Sequence, residues 1–302
     1  MIIDYVIPFV DMDDPNWRNL YKKYVRSNLN SHSRRFKDFG MLRYQFRGIE
    51  KNIPWIRNVY LVVQSESQIP KWLNVKHPKL KIIYHKDIIP SRFLPTFNSS
   101  VIEMWYNRIP GISEYFIVSN DDMIPVKPLD EKHYYRGNLP VYASRLLDSN
   151  IKLESNGIWK HILFNSKKLS SRLNKKRNVL SYSNPHLLLP HTLSIWNEVW
   201  KKGKLSLLRG MENSRVRNRR NHNHWLFSFF AIIAGKAIID MNIPHKGYIS
   251  LDSESDIEKL KELVKTSSVV CVNDGKYAGK DAERDLKKIF EEIFPEKSSF
   301  EI

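Results

Sequence analysis

Apolar residues along the chain fall into short β-like runs separated by stretches of helical spacing. Asp4–Val10, Val59–Val63, Lys81–His85, Tyr115–Ser119 and Val269–Val272 are rich in β-branched or aromatic residues and bounded by turn residues, which predicts strands. Between the first two, Leu42, Phe46 and Ile49 recur at helical spacing within Asp38–Asn52, and Pro54 closes the stretch. A helix is expected over Ser99–Arg108, capped by Asn98 or Ser99 and stopped before Pro110. Leu193–Trp200 and His224–Ala234 are helical and strongly apolar. The last helix, with Asp281 as its cap, carries a stripe of Leu286, Ile289, Phe290, Ile293 and Phe294 that ends at Pro295 and reads as core packing. Residues 145 to 180 are polar, basic and weakly periodic, an insertion or loop-rich helical region. Strands alternating with helices predict an α/β fold with a largely parallel sheet.

A chain of 302 residues without an internal repeat or a low-complexity linker is expected to be one compact unit. Its 12% aromatic content suits a packed core rather than disorder. Cys271 is the single cysteine, which excludes an intramolecular disulfide and a cysteine-based zinc site. The opening MIIDYVIPFV lacks a basic region and reads as a buried strand rather than a signal peptide. The longest apolar run, Trp225 to Ala234, is too short to span a bilayer.

The formal net charge of +17 admits nucleic acid, an anionic membrane surface or anionic small substrates, or else Lys and Arg spread over solvated faces. The densest cluster, Arg215, Arg217, Arg219 and Arg220, lacks the interleaved aromatics that stack bases, so no nucleic-acid partner is expected.

The strongest chemical signal is LPTFNSSVIE at 94–103 followed by YFIVSNDD at 115–122. An apolar strand stops at Asn120, Asp121 and Asp122, and ligands of open α/β sheets bind beyond the carboxyl ends of strands. Paired carboxylates there suit a divalent cation, Mg²⁺ or Mn²⁺, and nucleotide phosphates, with Glu103 able to fold back toward them. Asp11, Asp13 and Asp14 follow the first strand, either as a plain Asx-type turn or as part of the same site. Arg35 precedes the first helical stretch, and Arg43 and Arg47 share a helical face. They form either a solvated basic face, with Glu50 beside Arg47, or a guanidinium fork for phosphate. His186, His191, His222 and His224 lack the i, i+4 spacing of a helical zinc site, but a single His with a single Arg could serve phosphoryl transfer without it.

Taken together these segments resemble the Stealth family, whose members are polysaccharide phosphotransferases of bacterial capsules and cell walls and the catalytic subunit of animal N-acetylglucosamine-1-phosphotransferase. Four blocks appear in order: IDYVIPFVDMDDPNW at 3–17, the long stretch from Arg35 to about Lys127, Pro190-His191 through Phe230, and Val270 to Glu301. Met12 stands where the family pattern has Gly, and Pro8-Phe9 where it has Thr-Trp. His186 and His191 compete for the family's third-block His, and Arg219 and Arg220 for its Arg.

The resemblance implies a Rossmann-like or nucleotide-sugar-transferase-like sheet flanked by helices, with both ends of the chain converging on one cleft. It implies transfer of a sugar 1-phosphate from a nucleotide diphosphate sugar to an acceptor glycan. The family's functional positions fall on Glu103, Asp122, His191 and Arg220. Around them Asp11, Asp14, Arg35, Arg43, Arg47, Asn98, Asn120, Asn273 and Asp274 are expected to bind substrate, and Asp121 with Asp122 to hold the cation. Which of Glu103, Asp122 and His191 acts as base stays open. A cytoplasmic location at the inner membrane face is expected, where the positive charge would meet an anionic donor, polymer and lipid surface. The rivals are a glycosyltransferase on a similar scaffold, a basic nucleic-acid-binding module and a non-catalytic glycan-binding protein.

Overall fold

The computed structural model describes residues 1–25, 36, 39–142, 157–176, 188–240, 246–275, 277 and 280–302. Its strands are β1 (Ile3–Pro8), β2 (Ile56–Val63), β3 (Leu80–Tyr84), β4 (Tyr115–Val118), β5 (Met123–Pro125), β6 (Tyr135–Arg136), β7 (Leu139–Tyr142), β8 (Leu189–Thr192), β9 (Ile238–Ile239), β10 (Lys246–Leu251) and β11 (Val269–Asp274). Its helices are α1 (Pro15–Tyr24), α2 (Met41–Asn52), α3 (His85–Ile88), α4 (Ser99–Ile102), α5 (Ile158–Leu173), α6 (Leu193–Met211), α7 (Trp225–Ile233), α8 (Ser255–Thr266) and α9 (Lys280–Ile293).

The central sheet has the order β3-β2-β1-β4-β8. β1 pairs in parallel with β2 on one side and β4 on the other, β3 continues the parallel set, and β8 closes the edge antiparallel to β4. The expected α/β architecture with a mainly parallel sheet is therefore present, and its first four strands run in the Rossmann order 3-2-1-4. Strand order reverses between β1 and β4, so the crevice for a ligand opens beyond Pro8 and Val118. The other end of β1 is tied shut: Asp4 is fully buried and accepts Arg57 at 2.9 and 2.5 Å and the Ser113 amide at 2.7 Å.

Period-2 alternation decides which core each strand residue enters. Val6, Val62, Phe116, Val118 and Leu189 pack against α6 and α7 through Trp196, Trp225 and Phe227. Tyr5, Ile7, Leu61, Val63 and Ile117 face the other way, onto Leu42, Phe46 and Ile49 of α2. The far side of α2, Met41 and Tyr44, meets a second sheet of order β10-β11-β5, backed by the predicted stripe of α9. So α2 lies between two sheets, and Gly48 is required there: a Cβ would stand 2.4 Å from the Pro125 carbonyl oxygen.

Several elements differ from expectation. The helix expected over 99–108 is α-helical only to Ile102 and then tightens into a 3₁₀ segment, Glu103–Arg108. Helix α6 runs to Met211 rather than Trp200. Asp281 sits in the first turn of α9, favourably placed for the helix dipole, rather than before it. The expected helical insertion holds the sixteen-residue α5, whose Ser166 and Ser170 bond Asn223 and Leu226 beside α7. Positions 145–156 and 177–180 of that region lie outside the described residues. Among the described residues no helix is long and apolar enough to cross a membrane.

Candidate active site

The crevice is built around Glu103. Asn98 caps α4 by accepting the Ser100 amide at 3.1 Å, which starts the turn that carries Glu103 inward. Glu103 is 5% exposed. Its Oε2 faces His224 Nδ1 at 3.0 Å and accepts the His224 backbone N–H at 3.3 Å. Burial alone would raise this carboxyl, but His224 and the Arg217 guanidinium outweigh it and hold it below the ordinary value. An ionised Glu103 can only accept, so His224 donates to it through Nδ1.

Arg217 also donates to Ser99 Oγ at 2.5 Å, on the first turn of α4. In the 3₁₀ segment residues three apart eclipse, which sets Tyr106 over Glu103. Burial pushes the Tyr106 hydroxyl well above its ordinary value, and the charges of Glu103 and then Asp121 add to the effect. Among the described residues that hydroxyl has no hydrogen-bond partner. Beyond it, Cys271 Sγ of β11 lies 3.4 Å from Asp122 Oδ2. The thiol is raised well above its ordinary range by burial first, then by Asp122 and Asp121. A line of polar groups thus runs Arg217, Glu103, Tyr106, Asp121, Asp122, Cys271, and it joins segments from the middle and the end of the chain.

His191 sits on β8 opposite Phe116, with its ring 5.8 Å from that of His224 and nearly perpendicular to it. It is 1% exposed, and among the described residues its Nε2 has no partner. Burial and the neighbouring His224 depress its pKa well below the usual range, so its imidazole is neutral. β8 is an edge strand, which explains how it tolerates Pro190.

Other expected residues are committed elsewhere. Arg47 is no phosphate clamp: its guanidinium closes on Glu301 at 2.7 and 2.8 Å and donates to the Phe294 carbonyl at 2.7 Å. Arg43 lies 3.5 Å from the same carboxylate, and Glu50 bonds Ser299 instead of Arg47. Asn98 is fully buried and spends its amide on the Ser214 carbonyl and Asn221, pinning the loop that carries Arg217. Asp14 caps α1 and takes Ser67 and Gln68 on its second oxygen. Burial would raise it, but the Gln68 and Ser67 hydrogen bonds prevail and hold it low.

Asp11 is only half-buried and is raised by burial. It holds the Asp13 amide at 2.8 Å at the mouth of the crevice. Asn120 offers its carbonyl to Gln45 at 2.8 Å. Asn273 bonds the Tyr248 hydroxyl at 3.3 Å on the strand face shared with Cys271. Asp274 ends β11 opposite Leu251. Arg35 and His186 lie outside the described residues.

The arginines of the cluster point in different directions. Arg220 is exposed on a turn held by Asn218 Oδ1, and Arg219 is exposed beside it, whereas Arg217 reaches Glu103. Sequence reasoning named Arg217 and His224 only within their clusters, and it missed Tyr106 and the pairing of Glu103 with His224. Only the eclipsed spacing of 103 and 106 could have hinted at them. Arg215 also turns inward, onto the Pro95 carbonyl at 2.5 Å and over the Tyr24 ring, so the basic cluster is not one continuous exposed stripe.

The model of Stealth protein CR2, conserved region 2, matches residues 35–143, which carry α2, β2, β3, Glu103 and Asp121-Asp122. A capsular polysaccharide phosphotransferase WcwK of Streptococcus pneumoniae is 32% identical over 99% of this chain and 98% of its own. This chain belongs to the Stealth family. A receptor polysaccharide phosphotransferase WefC of Streptococcus oralis is 34% identical over 99% of both chains. The exopolysaccharide phosphotransferase cps2G of Lactiplantibacillus plantarum is 28% identical over 99% of this chain and 96% of its own. As a Stealth protein matching such relatives end to end, the chain is a transferase enzyme.

Proposed function

We propose that this Stealth protein transfers a sugar 1-phosphate from a UDP-hexose or UDP-N-acetylhexosamine to a hydroxyl of an acceptor glycan in surface-polysaccharide synthesis. The relatives' names support the reaction class. The observation that carries the residue roles is the hydrogen bond between Glu103 and His224 in the crevice.

In this reading the acceptor oxygen attacks the phosphorus that bears the sugar. Its proton passes to His224 Nε2, which Glu103 orients through Nδ1. The bond from that phosphorus to the oxygen bridging to the nucleoside phosphate breaks, and the nucleoside monophosphate leaves. Phosphoryl transfer asks for positioning and charge stabilisation more than covalent help, and the Arg217 fork suits the non-bridging oxygens. The Tyr106 hydroxyl, unpartnered beside Glu103, is a donor for the same oxygens. His191 is a neutral positioning wall behind His224 rather than the base.

Two adjacent carboxylates fit Mg²⁺ or Mn²⁺, which takes one or two protein carboxylates and completes its shell with phosphate oxygens. Asp121 and Asp122 would hold it, and when bound it would offset the diphosphate charge. The net charge of +17 suits an anionic donor and an anionic membrane face.

The test is a panel of nucleotide sugars with a glycan acceptor, read by the nucleotide released. Nucleoside monophosphate is expected. Release of nucleoside diphosphate would make the protein a glycosyltransferase and overturn the reading.

A further inference from the structure

A cavity of about 340 Å³ opens on the outer side of the 3₁₀ segment that carries Glu103. Trp105 and Trp200 form its floor, with ring centroids 4.6 Å apart, and Arg92, Arg108, Lys204 and Asn107 surround them. Among the described residues no acid lines it and none of the three cations is ion-paired. Two buried polar atoms of the lining lack partners: the Trp105 indole N–H, a donor, and Asn107 Oδ1, an acceptor. Trp105 is 6% exposed, so that donor gets no help from bulk water. The second tryptophan has its own partner, the Met104 carbonyl at 2.9 Å, which fixes the floor.

The chemistry of this cavity is that of a glycan bearing phosphate. Aromatic faces take the apolar face of a sugar ring, hydroxyls both donate and accept, and guanidinium groups hold phosphodiester oxygens. A nucleic acid would also meet rings and cations. Here, however, the two indoles occupy each other, tilted by 34°, so no base can slot between them.

The eclipsed geometry links cavity and crevice. Glu103 and Tyr106 share one face of the 3₁₀ segment, and Trp105 and Arg108 share another, about 120° round. We propose that this cavity is an acceptor subsite that holds a phosphodiester-bearing stretch of the growing glycan while its end enters the crevice. The proposal rests on the reading that the acceptor is a glycan.

The experiment uses intrinsic tryptophan fluorescence of the full chain. The probes are an oligosaccharide with one internal sugar-1-phosphodiester, its phosphate-free counterpart, inorganic phosphate and an unstructured DNA decamer. The variant is Arg108→Glu/Lys204→Glu, in which both sites are exposed and outside the core. Saturable quenching by the phosphodiester probe is expected. Binding should be about tenfold or more weaker without the phosphate, and weaker again in the variant, as for loss of charge-assisted hydrogen bonds. UDP binding by the variant should be unchanged.

Equal binding of the two oligosaccharides, equally tight binding of inorganic phosphate or DNA, or unchanged binding by the variant would overturn the proposal. Turnover separates it from the proposed activity. Nucleoside monophosphate release with an unaltered acceptor KM in the variant sinks the subsite alone. Intact probe binding without any such release sinks the activity alone.

Discussion

Replacing Glu103 by Gln keeps the shape of the side chain and removes the charge that His224 faces. The wild-type carboxylate takes two hydrogen bonds from one residue, 3.0 Å from the ring and 3.3 Å from the backbone, in a site 5% exposed. A hydrogen bond to a charged group contributes about 1.5–3 kcal/mol. At about 1.4 kcal/mol per tenfold, its loss from the transition state alone is worth roughly 10- to 150-fold. An amide can also present its NH₂ to Nδ1 and reverse the tautomer, leaving no lone pair at Nε2, and general-base catalysis carries about 10²–10⁴ in rate. We expect kcat for nucleoside monophosphate release to fall by about 10²-fold or more, with donor KM little changed.

His224→Ala should cost a similar factor, and the double variant should cost little more than either single one, because the pair acts as a unit. Stability should move as well. The Glu103 carboxyl is held below its ordinary value of 4.5. It therefore contributes stability that is present above that pH and lost as pH falls through the folded value, and Glu103→Gln should flatten this acid limb. A Glu103→Gln enzyme retaining more than about a tenth of wild-type kcat, or strictly additive factors in the cycle, would refute the assigned pairing.

Arg217→Lys should lose about 10²-fold in kcat, since a point charge replaces a fork, while Arg220→Lys should stay close to wild type; the reverse ranking in the same assay would return the clamp to Arg220. Asp122→Asn, and exhaustive chelation of the wild type, should each abolish most turnover, with Mg²⁺ or Mn²⁺ restoring only the chelated enzyme; full turnover after chelation would dismiss the cation. Glu301→Ala should destabilise the fold by about 3–5 kcal/mol in urea unfolding, because it strands the Arg47 guanidinium with its side chain 8% exposed.

What the sequence reveals here depends on how local the signal is. The strands of the central sheet and the stripe of α9 are legible because burial imposes a period on neighbouring residues. Glu103 and Asp121-Asp122 are legible because a strand end and a capped turn are local as well. The fate of Arg47 is not, since its partner lies 254 residues away and any acid could have served. Nor is the choice among four arginines within six residues. It is made by Asn98 and Asn221, which pin one loop so that Arg217 turns toward Glu103 and Arg220 toward solvent. Strand β8 was hidden because Pro190 argues against a strand unless its place at the sheet edge is known.

The 3₁₀ segment from Glu103 to Arg108 constrains how this gene can change. A substitution within it changes one face and leaves the others in place. Inserting or deleting a single codon would turn everything downstream by about a third of a revolution. An indole would then arrive where the Tyr106 hydroxyl belongs, and Arg108 would leave the cavity. The length of this hexapeptide is therefore constrained along with its functional residues, and a frame-preserving indel should damage crevice and cavity at once where a point change reaches only one of them.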